Sequence, residues 1–371
     1  MARELVLDFP SAKARSRILI ARGGLARLGA FVRETTGATH VALVTDARVG
    51  SLHGAVTERS LRRAGIEVAR ARVPRGEGAK RARELARLWD AFAAAGLGRD
   101  GAVVALGGGV VGDLAGFAAA TWLRGVPWIA VPTTVLAQVD ASVGGKTAID
   151  LAAGKNMAGA FHQPAGVLVD PDTLATLSPR QRRSGLAEVV KAGFAVDREL
   201  WDWLEARLDA LAAGEPGALA GAVERSIRAK VRVVLADERE WPGGPRTALN
   251  FGHTLGHAIE ASLGYRRLLH GEAVAIGMRA AAWLSVRVAG LAPESHVRLE
   301  AALDHLGLPV RMPRVASNRL LKALQHDKKR ARGEVRWVLT PRIGDASVPR
   351  AVESRLVRAA LAFAGASTTR A

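Results

Sequence analysis

The sequence predicts an α/β protein in two parts: a Rossmann-like α/β domain over residues 1–178 and an all-helical C-terminal domain over 179–371. Three observations carry this. Short aliphatic runs alternate with helical patterns through the first half, as a mostly parallel sheet covered on both faces requires. From about Pro179 these runs give way to long amphipathic stretches. One strand-like run also passes through a cluster of glycines directly into a helical pattern, as in nucleotide-binding turns.

The elements follow in order. Strands are expected at "RILIA" (17–21), "VALVT" (41–45), "IEVARARV" (66–73), "AVVAL" (102–106), "WIAVP" (128–132) and "GVLVD" (166–170). A helix is expected over "AKRARELARLWDAFAAAG" (79–96). In the second half, helices are expected at about 180–212, 217–236, 248–263, 271–289, 297–306 and 316–326. A chain of 371 residues is too long for one compact core. No internal repeat or low-complexity linker separates the two parts.

Composition narrows the function. Hydrophobic residues make up 49% and charged residues 24%, which fits a globular protein. With no cysteine, disulfides, thiolate metal sites and a thiol nucleophile are excluded. The N-terminus "MARELVLDFP" lacks a signal-like apolar run, and glycines and Asp113 interrupt the apolar stretch 102–123, so a cytoplasmic protein with no membrane span is expected. The net charge of +18 comes from arginines scattered over the chain, with no basic tail and no interleaved aromatics, so no nucleic-acid partner is expected. Only nine of the 53 basic residues are lysines, and most of those lie inside glycine-rich or histidine-rich motifs. Where arginine has taken the generic surface positions, a retained lysine points to a site needing its compact charge.

Four motifs carry chemistry. "VVALGGGVVGDLAGF" holds Gly107, Gly108, Gly109 and Gly112 between a strand and a helix, and reads either as a nucleotide turn or as a tight strand–helix connection. Asp46 in "LVTDARV" suits ribose hydroxyls or a helix cap. "VPTTVLAQVDASVGGKTAIDLAAGKN" gathers Asp140, Lys146, Lys155 and Asn156 around two glycine-containing turns suited to phosphate or carboxylate groups, or forms a solvated loop. "NFGHTLGHAIE" and "LHGEAVAIGM" put His253, His257 and His270 within eighteen positions, flanked by Asn250 and Glu272. Three histidines so close suit zinc, with Glu188 of "GLAEVVKAG" as an acidic partner one helical turn from Lys191.

These motifs, with "GKNMAGAFHQP" and "HDKK", resemble the 3-dehydroquinate synthase family in order and spacing from about Asp46 to Lys329. The resemblance implies an NAD-binding N-terminal domain, a helical metal- and substrate-binding domain, and an active site in the cleft between them. It assigns Glu188, His253 and His270 as ligands of one divalent metal, zinc or cobalt, and moves His257 from ligand to a place near the substrate. It implies NAD contacts at Asp46, Glu77, Lys80, Gly109, Asp113, Thr133, Thr134, Asp140, Lys146, Lys155 and Thr176. Substrate contacts fall on Arg124, Asn156, Lys191, Lys230, Asn250, Lys328 and Lys329, and catalytic roles on Lys146, His257, Glu240 and Arg246. One stretch departs from the family: "WPGGP" lengthens the loop between "DERE" (237–240) and Arg246.

The implied substrate is a small phosphorylated sugar acid, 3-deoxy-D-arabino-heptulosonate 7-phosphate. The implied reaction is transient oxidation by NAD, phosphate elimination, re-reduction, ring opening and aldol closure to 3-dehydroquinate. A homodimer is also implied. The competing readings are another sugar-phosphate cyclase, a metal-dependent polyol dehydrogenase and a nucleic-acid-binding protein. The lysine set speaks against the dehydrogenase, which leaves it without a role.

Overall fold

The computed structural model describes residues 2–10, 14–152, 154–326, 335–346 and 350–367. The chain forms two compact units, Met1–Leu177 and Ser178–Ala371.

The first unit is built on a seven-stranded sheet. Its strands are β1 (Arg3–Phe9), β2 (Ala14–Ile20), β3 (His40–Asp46), β4 (Glu67–Val73), β5 (Ala102–Gly107), β6 (Trp128–Pro132) and, after a separate hairpin of β7 (Lys146–Leu151) and β8 (Gly154–Phe161), β9 (Gly166–Val169). The order is β1-β2-β9-β6-β5-β3-β4. All neighbours are parallel except β1, which pairs antiparallel with β2. The helices are α1 (Leu28–Thr36), α2 (Ala47–Arg63), α3 (Ala82–Ala94) and α4 (Gly109–Thr121).

Period-two alternation sorts the sheet residues onto two faces. Val41, Leu43, Val104, Leu106, Ile129, Val131 and Leu168 form one core with Leu28, Phe31 and Val32 of α1 and Leu61 of α2. The alternate residues Ala42, Val44, Val103, Ala105 and Ala130 are also buried, on the face where α4 packs on β5 and β6. Burial on both faces explains why these strands read as continuous apolar runs.

Two features of this unit differ from the expectation. Strand β1 is not among the expected strands, because "RELVLDF" lies on an edge, starts with two charges and buries only Leu7 and Phe9. The stretch expected to hold two glycine-containing turns has positive φ at Gly144, Gly145 and Gly154, but it also forms a β-hairpin, so Lys146, Lys155 and Asn156 lie on strands. Few of its side chains are buried, so no apolar run marks it. Just before it, Ala137–Ala141 forms a π-helical turn that carries Asp140.

The second unit is helical: α5 (Pro179–Val196), α6 (Arg198–Glu205), α7 (Leu208–Ala213), α8 (Pro216–Ala236), α9 (His253–Ser262), α10 (His270–Val288), α11 (Pro293–His305), α12 (Ser317–His326) and α13 (Ser354–Phe363). A two-residue pair, β10 (Arg336–Trp337) with β11 (Arg350–Ala351), is the exception among its described residues. The expected helix over 180–212 is three helices. Asp197 adopts an extended conformation and its carboxylate caps α6 by accepting from Leu200 N. The expected helix over 248–263 begins as a 3-10 turn, Pro245–Asn250. Gly252, at φ 80°, then redirects the chain so that His253 opens α9.

Candidate active site

Three helices of the second unit each supply one group to a buried cluster. Glu188 lies in the middle of α5, His253 opens α9 and His270 opens α10. Glu188 Oε1 is 3.8 Å from His253 Nε2 and 3.6 Å from His270 Nε2. Backbone contact sets this spacing. Gly271 lies against the carbonyl of Ser184, one turn before Glu188, and Gly277 of α10 lies against the carbonyl of Gly252. Arg180 of α5 donates from Nε and Nη2 to Glu272 at 2.6 and 2.7 Å, and Glu272 also accepts from Leu269 N at the start of α10. Glu272, which flanks the histidines in sequence, thus ties α10 to α5.

This donor set fits a divalent cation. Glu188 is 1% exposed and its Oε1 has no hydrogen-bond partner among the described residues. Both imidazole nitrogens stand just beyond hydrogen-bond reach of it. Tetrahedral zinc with bonds near 2.0–2.1 Å spaces its ligand atoms about 3.3 Å apart, close to the separations found. The tautomers agree. His253 Nδ1 donates to the Phe251 carbonyl at 3.3 Å, and His270 Nδ1 to Glu260 Oε2 at 3.2 Å, leaving each Nε2 as a lone pair toward Glu188. Lys191 forms an ion pair with Glu188 Oε2, and both are buried. Sequence reasoning missed Glu260. Its signal was an acid at i+7 from His253, on the same helix face as both α9 histidines, in an otherwise apolar run.

His257 is half-buried beside the cluster, its ring centroid 5.2 Å from that of His253 and 6.2 Å from that of His270. Buried cations lie elsewhere in the unit: Lys230 on α8, and Arg246, whose Nη1 donates to the Glu238 carbonyl. The long 237–246 loop is folded back by Asp237, which accepts from Trp241 N at 3.0 Å and Arg246 N at 3.3 Å. Glu240, at φ 53°, accepts from Asn250 Nδ2, so these two expected site residues meet despite the insertion. Lys328 and Lys329 lie outside the described residues.

In the first unit, five of the expected residues form one network. Lys80, 3% exposed, donates from Nζ to Asp113 Oδ2 at 2.6 Å and to Asn156 Oδ1, with Glu77 and Asp150 each 3.9 Å away. Lys155 pairs with Glu77 at 3.2 Å. Burial alone pulls the Lys80 ammonium down, but Asp113, Glu77 and Asp150 outweigh it and raise its pKa. Asn156, expected at the substrate, therefore shares the Lys80 cluster with residues expected at the cofactor.

Gly109 opens α4 after Gly108, and no side chain caps that helix end. Asp46 caps α2, accepting from Arg48 N and Val49 N. Thr134 Oγ1 accepts from Ala137 N at 3.1 Å, Thr133 is buried, and Thr176 Oγ1 lies 3.2 Å from His53 Nε2. Lys146 begins β7 and Arg124 follows α4 at φ 69°, both exposed.

A parallel-sheet unit with a glycine turn, joined in one chain to a helical unit with a Glu–His–His set, suits an enzyme that uses NAD and a divalent metal. The 3-dehydroquinate synthase N-terminal family matches residues 70–184 and its C-terminal family residues 185–330. The 3-dehydroquinate synthase of Symbiobacterium thermophilum is 47% identical over 348 residues, 93% of this chain and 96% of that protein. That of Bordetella pertussis is 48% identical over 324 residues, 87% of this chain and 90% of that protein. Among solved structures, 2-epi-5-epi-valiolone synthase from Streptomyces hygroscopicus subsp. jinggangensis, with NAD+ and Zn2+ bound, superposes with a TM-score of 0.83 at 29% identity, over 93% of this chain and 95% of that one. The chain belongs to the 3-dehydroquinate synthase family.

Proposed function

We infer that the two units divide the work of a 3-dehydroquinate synthase, which converts 3-deoxy-D-arabino-heptulosonate 7-phosphate to 3-dehydroquinate and phosphate. The observation that carries this reading is the buried Glu188 Oε1 facing two Nε2 atoms, in a chain whose relatives at 47% and 48% identity are named for this activity. Glu188, His253 and His270 would hold zinc or cobalt, and Asp46, Glu77, Lys80, Gly109, Asp113, Thr133, Thr134, Asp140, Lys146, Lys155 and Thr176 would hold NAD. When bound, the metal supplies a Lewis acid for a substrate hydroxyl and NAD a reversible hydride acceptor.

The chain's own groups do the rest. Lys191 neutralises the far oxygen of Glu188 and, with Lys230, Arg246 and Asn250, presents donors for substrate carboxylate, phosphate and hydroxyls. Arg124, Asn156, Lys328 and Lys329 complete the substrate set. His257, half-buried beside the ligands, suits proton transfer from the hydroxyl being oxidised. Lys146 balances negative charge during elimination, and Glu240, held by Asn250, orients the substrate with Arg246. No helix among the described residues is long and apolar enough to cross a membrane. The reading further takes residues 1–178 and 179–371 as the domains, a homodimer as the assembly, a small-molecule partner with no nucleic acid, and the cytoplasm as the location.

The test follows nicotinamide absorbance and free phosphate together at substoichiometric NAD. The cyclase oxidises and re-reduces one bound molecule. Phosphate should therefore match the carbocyclic product while NADH does not accumulate, and chelation should stop both. Steady NADH formation without phosphate would instead establish a plain dehydrogenase.

A further inference from the structure

We propose that Glu260 is a positioning residue for the metal: it fixes the tautomer and ring orientation of His270, so that α9 supplies one ligand directly and controls a second on α10. The inference rests on the metal reading above and goes beyond its ligand set.

Glu260 is 4% exposed, in a helix whose neighbouring side chains Ala258 and Ile259 are buried and apolar. A carboxylate there loses its hydration and is retained only against a strong partner. Its Oε2 meets His270 Nδ1 at 3.2 Å. A carboxylate accepts the Nδ1 proton, which places the ring's lone pair on Nε2, the atom 3.6 Å from Glu188 Oε1. His253 uses a backbone carbonyl for the same purpose, because the turn before α9 brings the Phe251 oxygen to its Nδ1. His270 has greater need of a side-chain partner. Its side chain is 29% exposed against 9% for His253, so packing restrains its ring less. Residues 253, 257 and 260 lie on one face of α9 at i, i+4 and i+7. A single helix face thus carries a ligand, the proton-transfer candidate and the group that holds the next ligand. The same atoms allow a different arrangement, because His257, Glu260 and His270 also bring ligand atoms within 4.8 Å of one another. In that arrangement Glu260 would itself bind a cation.

The experiment measures zinc affinity of the full chain by competition with a chromophoric chelator, and the visible spectrum of the cobalt-loaded protein. Glu260→Leu removes the acceptor at similar volume, and Glu260→Gln keeps a neutral acceptor. The zinc dissociation constant should rise about 10- to 100-fold in the leucine variant and less in the glutamine variant, with one metal per chain throughout. The cobalt d–d bands should shift in both, because the ligand field of His270 changes. Affinity within threefold of wild type in the leucine variant overturns the proposal. If that variant does not fold, unchanged affinity and unshifted bands in the glutamine variant overturn it. Two metals per wild-type chain, falling to one on Glu260 substitution, would make Glu260 a ligand and also overturn it. A wild-type chain that binds no zinc overturns the metal reading and this inference with it, whereas tight wild-type binding with insensitive variants overturns this inference alone.

Discussion

Gly271→Ala should damage the metal site although residue 271 touches no metal. A Cβ at 271 would lie 1.7 Å from the Ser184 carbonyl oxygen and 2.7 Å from its carbon, both backbone atoms that cannot rotate away. Real Cβ atoms essentially never approach within 3.0 Å, so α5 and α10 must separate locally by at least about 1.3 Å, the gap between 1.7 and 3.0 Å. Ser184 is one turn from Glu188, and Gly271 is bonded to His270, so the displacement falls between two of the proposed ligands. Metal geometry tolerates errors of about 0.2 Å, so the zinc dissociation constant should rise more than about tenfold. Overpacking costs about 1–3 kcal/mol. At about 2–4 °C per kcal/mol for a unit of this size, the metal-free protein should melt about 2–12 °C lower. Gly54→Ala is the control: nothing lies within 4 Å of its added carbon, and α2 is far from the ligands in sequence. It should stabilise by about 0.5–1 kcal/mol and leave zinc affinity unchanged. The assays are chelator competition and calorimetry with and without metal. Wild-type zinc affinity and melting temperature in Gly271→Ala would refute the claim that backbone contact sets the ligand spacing.

His257→Ala should retain stoichiometric zinc while turnover falls about 10²- to 10⁴-fold; a metal-free variant would make His257 a ligand instead. Lys80→Met leaves the half-buried Asp113 without its counter-ion and should cost about 1–3 kcal/mol in urea unfolding, and a change under 1 kcal/mol would show that the pair is solvated. Burial holds His53 and His162 below the usual 6.5, against the charge of Asp170 and the hydrogen bond to the Val126 carbonyl respectively. The unfolded chain therefore takes up these protons first as pH falls, so stability present above about pH 6.5 should decline on acidification through the folded pKa values. Denaturation at pH 7.5 and 5.5 checks this: His162→Gln should show a smaller pH dependence than wild type, and an equal slope would sink it.

The parallel sheet was legible because its strands are buried on both faces and read as unbroken aliphatic runs. The β7–β8 hairpin was hidden because it buries little and its glycines resemble turns. Glu188, His253 and His270 were nameable from spacing and family resemblance, but their geometry was not. It depends on Gly271 and Gly277 meeting backbone carbonyls across helices that the sequence separates by tens of residues. Glu260 escaped notice for a related reason, because an acid in an apolar helix acquires meaning only when the facing helix supplies His270. The break at Asp197 was local and readable in principle, since an aspartate before a short amphipathic run is a cap signal.

The three proposed ligands come from α5 and from the consecutive helices α9 and α10, in a chain that has no cysteine. With a cation in place, Glu188 and His253 close a loop of roughly 65 residues, a span over which a cross-link limits the freedom of the unfolded chain. The ion then fastens the helical unit much as a disulfide would, but through bonds that do not depend on the redox state of the surroundings. Stripping it should shorten the lifetime of the native fold as well as end the chemistry. For this enzyme, metal supply and resistance to unfolding become one variable.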